Sequence, residues 1–225
     1  MKITKEKRQI AVFLLSVLVL VIAAGSASVY RAGQMGKVSF LEHLDEEIVV
    51  IDEESYPLRE LAFYLAYQES TVEEQAKVYD MENIKSYWNL RSENNFLRFQ
   101  ARDTAMEMMV HDTIFFRLAE KENISLTAEE ETYMLNRQMD FWNDLEEEGQ
   151  ERLGVSEEEI KEVFYRMALA QKQQQLLADS EGVDYREYNI GGKYYATLLA
   201  KHSYQINEEL WERLDFGNII FAPGR

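Results

Sequence analysis

Apolar positions fall into three long helical patterns between Phe96 and Asp179. The first, Phe96 to Glu122, carries Met106, Met108, Met109, Val110, Ile114, Phe115, Phe116, Leu118 and Ala119, a distribution too wide for one face. A helix apolar on several sides is surrounded by others, so this one is the expected central element. The second, Ala128 to Glu148, places Leu135, Met139, Trp142 and Leu145 on one side, and the third, Glu157 to Ala178, does so with Ile160, Val163, Phe164, Met167 and Leu177. Two boundary signals separate them, Asn123-Ile124-Ser125-Leu126-Thr127-Ala128-Glu129-Glu130 and Leu153-Gly154-Val155-Ser156-Glu157-Glu158-Glu159. Each holds a residue tolerant of left-handed geometry, Asn123 or Gly154, that closes one helix. A capping box then opens the next, with Thr127 or Ser156 as cap and Glu130 or Glu159 reaching back.

On either side the pattern is shorter in range. Ile48-Val49-Val50-Ile51 is a β-branched run that reads as a strand, with Asp52-Glu53-Glu54 as its turn. Ser55 is the expected cap of a helix that takes Pro57 in its first turn and carries Leu58, Leu61, Ala62 and Leu65 as its stripe. Thr71 to Leu90 is polar, apart from a tyrosine and tryptophan phrase, Y-D-M-E-N-I-K-S-Y-W-N-L. After Asp179 a break from Ser180 to Gly192 holds three glycines, and Lys193 to Leu214 resumes an apolar pattern in which Asn207 can cap a final turn. In Phe216 to Arg225, Ile219, Ile220 and Phe221 could add an edge strand, and Pro223-Gly224 ends order. The fold class expected is all-α, mainly helical with one or two short strands.

The N-terminus changes the picture. Lys2, Lys5, Lys7 and Arg8 precede an apolar run, and no charge occurs from Gln9 to Tyr30. Those 22 residues would span roughly 33 Å as a helix, enough for a hydrocarbon core of about 30 Å. Two readings stay open: a retained signal-anchor, or a signal peptide cleaved near Gly25-Ser26-Ala27. In both, the basic flank stays cytoplasmic and the bulk of the chain is extracytoplasmic. The expected organisation is a signal or transmembrane segment over 1–30, a tether over 31–47, a helical domain over 48–215 and a tail over 216–225. Without the four cations and one anion of Met1 to Arg8, the formal charge moves from −17 to −20. Such a domain repels nucleic acid and anionic headgroups, and a charge-steered partner should be basic.

Chemistry-bearing constellations are few. Zero cysteine excludes disulfides, thiol catalysis and thiolate metal sites. His43, His111 and His202 form no H-x-x-x-H or H-E-x-x-H pair, and His111 reads as a core or boundary residue within the central helix. There is no nucleophile elbow, phosphate loop or dinucleotide fingerprint. The acidic runs at Glu129 to Glu131 and Glu157 to Glu159 lie in first helical turns, where they complement the helix dipole, and Asp144 to Glu148 lacks EF-hand spacing. No catalytic, cofactor or metal residue is therefore expected. What remains is aromatic and thioether surface, with thirteen tyrosines, nine methionines and three tryptophans. Met109, Phe115, Phe116, Trp142 and Met167 are expected in the core. Tyr64, Tyr67, Tyr133, Tyr165 and Tyr195 are the candidate client-binding residues at exposed edges.

The order of a long apolar helix, A-E-K-E-N-I-S-L-T-A-E-E-E, a helix, L-G-V-S-E-E-E-I, and a helix ending in Q-K-Q-Q-Q-L-L resembles the chaperone domain of the extracytoplasmic SurA and PrsA foldases. Y-Y-A-T-L-L-A-K-H-S-Y-Q-I-N-E-E-L-W resembles the return segment of that domain, a helix, a short strand and a further turn that follow the isomerase domain. The parvulin isomerase signature is missing, and a domain of about 100 residues cannot fit between Asp179 and Lys193. The resemblance implies a membrane-anchored chaperone that binds unfolded exported polypeptides without isomerase activity. Two alternatives are an interaction subunit holding one fixed partner in an envelope complex and, ranked last, a residual peptidyl-prolyl isomerase.

Overall fold

The computed structural model describes residues 36–92 and 95–222, so the signal-anchor expected over 1–30 lies outside the described residues. Within them no helix is long and apolar enough to cross a membrane. The compact unit begins at Val38. It is mainly helical: α1 (Ala62–Tyr79), α2 (Ile84–Trp88), α3 (Leu97–Lys121), α4 (Ala128–Asp144), α5 (Glu146–Leu153), α6 (Glu157–Glu181), α7 (Lys193–Leu199) and α8 (Glu208–Arg213). Its five strands are short, three more than the largest number expected: β1 (Glu47–Ile51), β2 (Glu54–Pro57), β3 (Arg91–Ser92), β4 (Asn95–Phe96) and β5 (Tyr204–Ile206). The extra ones arise by pairing with neighbours, which no local pattern encodes.

The long helix behaves as its all-round apolar pattern requires. α3 shares its most extensive interface with α6 and a second with α1, while α6 also packs on α4. Met106, Met109, Val110, Ile114 and Phe115 are all buried. Both capping boxes form, Thr127 with Glu130 and Ser156 with Glu159. Asn123 and Gly154 take the left-handed conformations that end the preceding helices, at φ of 55° and 66°.

Several boundaries differ from expectation. Ser55 caps no helix; it lies in β2, where its hydroxyl donates to Glu47, and a 3-10 turn over Leu58–Leu61 leads into α1. The hairpin turn is Asp52-Glu53, both with positive φ, as a two-residue hairpin loop demands. Asp52 accepts from the Ser203 N–H at 2.9 Å and faces His202 Nδ1, contacts that hold its non-glycine left-handed backbone in place. Helix α4 stops at Asp144, and α5 restarts after Leu145 because Glu146 adopts φ 55°. That kink turns Leu145, Gly149 and Leu153 inward. On α4 the buried residues are Met134 and Gln138, whereas Leu135 and Met139 are exposed; Leu145, just beyond the helix, is buried as expected. The expected stripe was offset by one residue because Gln138 is polar; buried, it donates to Glu157 at 3.2 Å.

Residues near both ends of the unit are packed into its core. Val38, Phe40 and Leu44 are buried, and Val38 bridges Leu214 in parallel, accepting from Asp215 N–H and donating to Arg213 C=O. β1 is the middle strand of a β2-β1-β5 sheet, antiparallel to both neighbours. Lys193 to Leu214 thus returns as helix, strand and short helix, with Asn207 accepting from Leu210 N–H as the cap of α8. Ile219 and Ile220 are buried but form no strand. Instead Glu69, itself fully buried on α1, accepts from the N–H groups of Gly217, Ile219 and Ile220, the last at 3.0 Å. Gly217 is required there: its φ is 100°, and a Cβ would meet the Trp88 ring at 3.3 Å.

Truncation after Asp179 removes β5, the Val38 partner and the segment seated on Glu69. The product should lose cooperative thermal unfolding, since burying Leu210, Trp211, Leu214, Phe216, Ile219 and Ile220 stabilises by about 1.5 to 3 kcal/mol per side chain. A truncated chain melting at the full-length temperature would contradict this.

Glu69 also gives a pH dependence. Burial pushes its carboxyl up to about 7 from the 4.5 of a free glutamate, against the opposing pull of the Ile220, Ile219 and Gly217 N–H groups and with a smaller push from Asp215. The folded chain therefore binds this proton more tightly than the unfolded chain does. Its stabilising contribution is complete below pH 4.5 and is lost as the pH rises to about 7. The loss amounts to about 3 kcal/mol. Urea unfolding across that window should show this fall in the native protein, and Glu69→Gln should abolish it while lowering stability at low pH.

Candidate client-binding groove

Between α4 and α6 runs an open groove of about 550 Å³. Its apolar lining is Leu126, Tyr133, Met134, Phe164, Met167 and Ala168. Each comes from a simple local rule. Leu126 immediately precedes the Thr127 cap. Phe164, Met167, Ala168 and Gln171 follow the three- and four-residue spacing of one α6 face. Met134 and Phe164, both buried, make the floor, and Tyr133, 63 % exposed, forms a wall.

The groove is fixed at one end by charge. Lys172 Nζ donates to Ser125 C=O at 2.9 Å and to Glu130 Oε2 at 2.7 Å, so α6 is tied to the capping box that starts α4. That same Lys172 contact, with the Thr127 N–H, holds the Glu130 carboxyl below its ordinary value. The rim carries Glu129, Arg137, Gln171, Gln175 and Tyr185, and Arg137 lies over the Tyr133 ring at 5.9 Å. The floor is thioether and aromatic surface, and the rim mixes both charges.

Only Tyr133 of the five expected tyrosines lines this groove. Tyr67 is exposed on α1, where it stacks on Phe63 at 5.8 Å. Tyr165 is half-buried against the core. Tyr64 and Tyr195 are not at exposed edges. Tyr64 is buried and donates to Asp112 at 3.2 Å, with burial pushing its hydroxyl well up. Tyr195 is buried beside Phe115 and His111, the latter ring 4.8 Å away. Both face inward because α3 needs apolar cover on all sides. Met109 and Phe115 are core as expected, while Phe116, Trp142 and Met167 are half-buried. Leu126, Met134, Phe164 and Ala168 escaped the tyrosine-based reading; the α6 spacing pointed to Phe164 and Ala168, while the α4 stripe expected one position away hid Met134.

A second cleft, between β2, α1, α3 and α6, is lined by paired charges. There Arg117 donates to Ile51 C=O, Glu54 and Tyr56, and Arg166 pairs with Glu60. His111, the buried histidine, places Nε2 3.0 Å from Tyr188 C=O and Nδ1 2.9 Å from Asp112, tying the segment before α7 to α3. Among the described residues no group of three or more histidine and acidic side chains is placed to hold a metal. Comparison with protein-family models, curated proteins and solved structures finds no match to this chain.

Core and groove are separable by mutation. Phe115→Ala should cost about 3 to 5 kcal/mol in chemical unfolding, because the ring is fully buried. Tyr133→Ala should change stability by less than about 0.5 kcal/mol. A large loss at Tyr133 would move it from the groove wall to the core.

Proposed function

We propose that this is a membrane-anchored, extracytoplasmic chaperone-like protein of the SurA and PrsA type, lacking an isomerase domain, which binds exported unfolded polypeptides in the groove between α4 and α6. The observation that carries this reading is the groove: an open trough with an apolar floor and a rim of both charges. A trough of this kind takes in exposed apolar side chains of varied sequence. Methionine and aromatic surface repacks around different segments at low entropy cost, and the open top allows release. The reading of location rests on the four cations before the uncharged run.

The full-length protein should slow the aggregation of several unrelated denatured clients. The double change Tyr133→Ser and Met167→Ser should weaken that protection about tenfold, as loss of one to two kcal/mol of apolar burial would. Isomerisation of a proline tetrapeptide should run at the uncatalysed rate, tens to hundreds of seconds at 25 °C. Protease added to intact protoplasts should digest the chain. Tight capture of one folded partner without holdase activity would favour the fixed-subunit alternative, and full protease protection would overturn the export reading.

A further inference from the structure

A second surface lies at the free edge of β5, and it is independent of the α4/α6 groove. β1 is paired on both sides, but β5 has β1 on one side and, among the described residues, no strand on the other. The register fixes which main-chain groups are left over. Val49 opposes Ile206, Val50 opposes Gln205 and Ile51 opposes Tyr204. The flanking bonds are Asn207 N–H to Ile48 C=O and Asp52 N–H to Ser203 C=O, both 2.9 Å. In an antiparallel ladder that pattern makes Val50 and Gln205 the pair that exchanges hydrogen bonds. The N–H and C=O groups of Tyr204 and Ile206 therefore point away from β1, to the open side.

That edge borders a built groove of about 550 Å³. Tyr204 and Ile206 line it together with Phe99, Met106 and Trp211. Its charged lining is Asp103, Glu107, Glu208 and Glu212, against the single cation Arg102. Arg102 is already engaged: its guanidinium donates to Asp103 at 3.0 Å and to Trp211 C=O at 2.9 Å, and its plane lies against the Trp211 ring. Asp103 is likewise engaged, since it also accepts from Trp211 Nε1 at 3.1 Å. Glu107, Glu208 and Glu212 have no cationic partner among the described residues. Burial, with the neighbouring Asp103 charge, holds the Glu107 carboxyl above its ordinary value, as an unmatched carboxylate in such a place should be.

We propose that the β5 edge is a docking site for an extended polypeptide segment carrying lysine or arginine at alternate positions, which adds a strand beside Tyr204–Ile206 and lays its cationic side chains in the acidic aromatic groove. Two independent features specify the occupant. The unpaired main-chain groups of Tyr204 and Ile206 call for an extended backbone. A strand there places every second side chain on the face that the Tyr204 and Ile206 side chains share. On that face the unmatched carboxylates call for cations. An acidic segment fails the second demand and a helical one fails the first.

The test uses the full-length protein and fluorescently labelled peptides of about nine residues that alternate lysine with valine or threonine, a typical strand length or slightly more. The lysine peptide should bind, and its amides should protect the Tyr204 and Ile206 N–H groups from hydrogen exchange. Binding should weaken about tenfold with Glu107→Gln and Glu212→Gln combined, and should weaken as salt is raised. A peptide with N-methylated alternate amides, which keeps the charges and loses the N–H donors to the Tyr204 and Ile206 C=O groups, should bind at least as poorly as a glutamate-alternating one. Equal binding of the methylated or the glutamate peptide would overturn the proposal. Protection appearing along α4 or α6 rather than at Tyr204 and Ile206 would also overturn it, placing the peptide in the other groove. Since none of these readings depends on aggregation assays, failure here leaves the holdase reading standing, and the reverse holds too.

Discussion

The backbone of β1 imposes the constraint on which the rest of this unit depends. Ile48, Val49 and Ile51 are wholly buried, so the strand lies where water cannot satisfy its N–H and C=O groups. One side is met locally by β2 through a two-residue turn. The other can be met only by a strand from elsewhere, and the chain supplies β5 from about 155 residues further on. Everything between must form a body whose end returns to its beginning. The long helices provide that body, and Arg102 on α3, donating to Trp211 C=O, fastens the returning end to the central helix.

The same closure explains why the two ends are core. Once β5 pairs with β1, α8 follows at once under its Asn207 cap, and Leu214 meets Val38. The segment beyond has no ladder to join. Its N–H groups are satisfied by the Glu69 carboxylate instead, a solution that leaves an acid buried at 0 % exposure and pays with a raised pKa. A carboxylate with several N–H donors is ordinarily held low. Here desolvation outweighs them, which marks how completely Phe216, Ile219 and Ile220 seal the site.

Two surfaces escape this closure, and they differ in chemistry. The α4/α6 trough is apolar with a mixed-charge rim, suited to side chains of many kinds. The β5 edge offers directional main-chain groups and unmatched carboxylates, which suit an extended cationic segment. The acidity of the domain as a whole, −20 without the basic N-terminal residues, acts in the same sense at the second surface and is indifferent at the first.

How much of this was legible in sequence follows from the range of the interactions. Capping boxes at Thr127 and Ser156, the left-handed stops at Asn123 and Gly154 and the all-round apolar pattern of α3 are contacts within a few residues, so the chain's own order determined them. The β1 run and the Asn207 cap are of the same kind. Tertiary structure decided which of two adjacent stripes on α4 faces inward, because Gln138 could be buried only once Glu157 stood opposite it. It placed Tyr64 against Asp112 and Tyr195 against His111 and Phe115, removing from the surface two aromatics whose composition alone gave no direction. It drew Val38 and Ile220 into the core through partners more than a hundred residues away. Local hydrogen-bonding rules fix where helices begin and end, whereas the side a helix buries and the strand an edge receives depend on neighbours that only the closed chain provides.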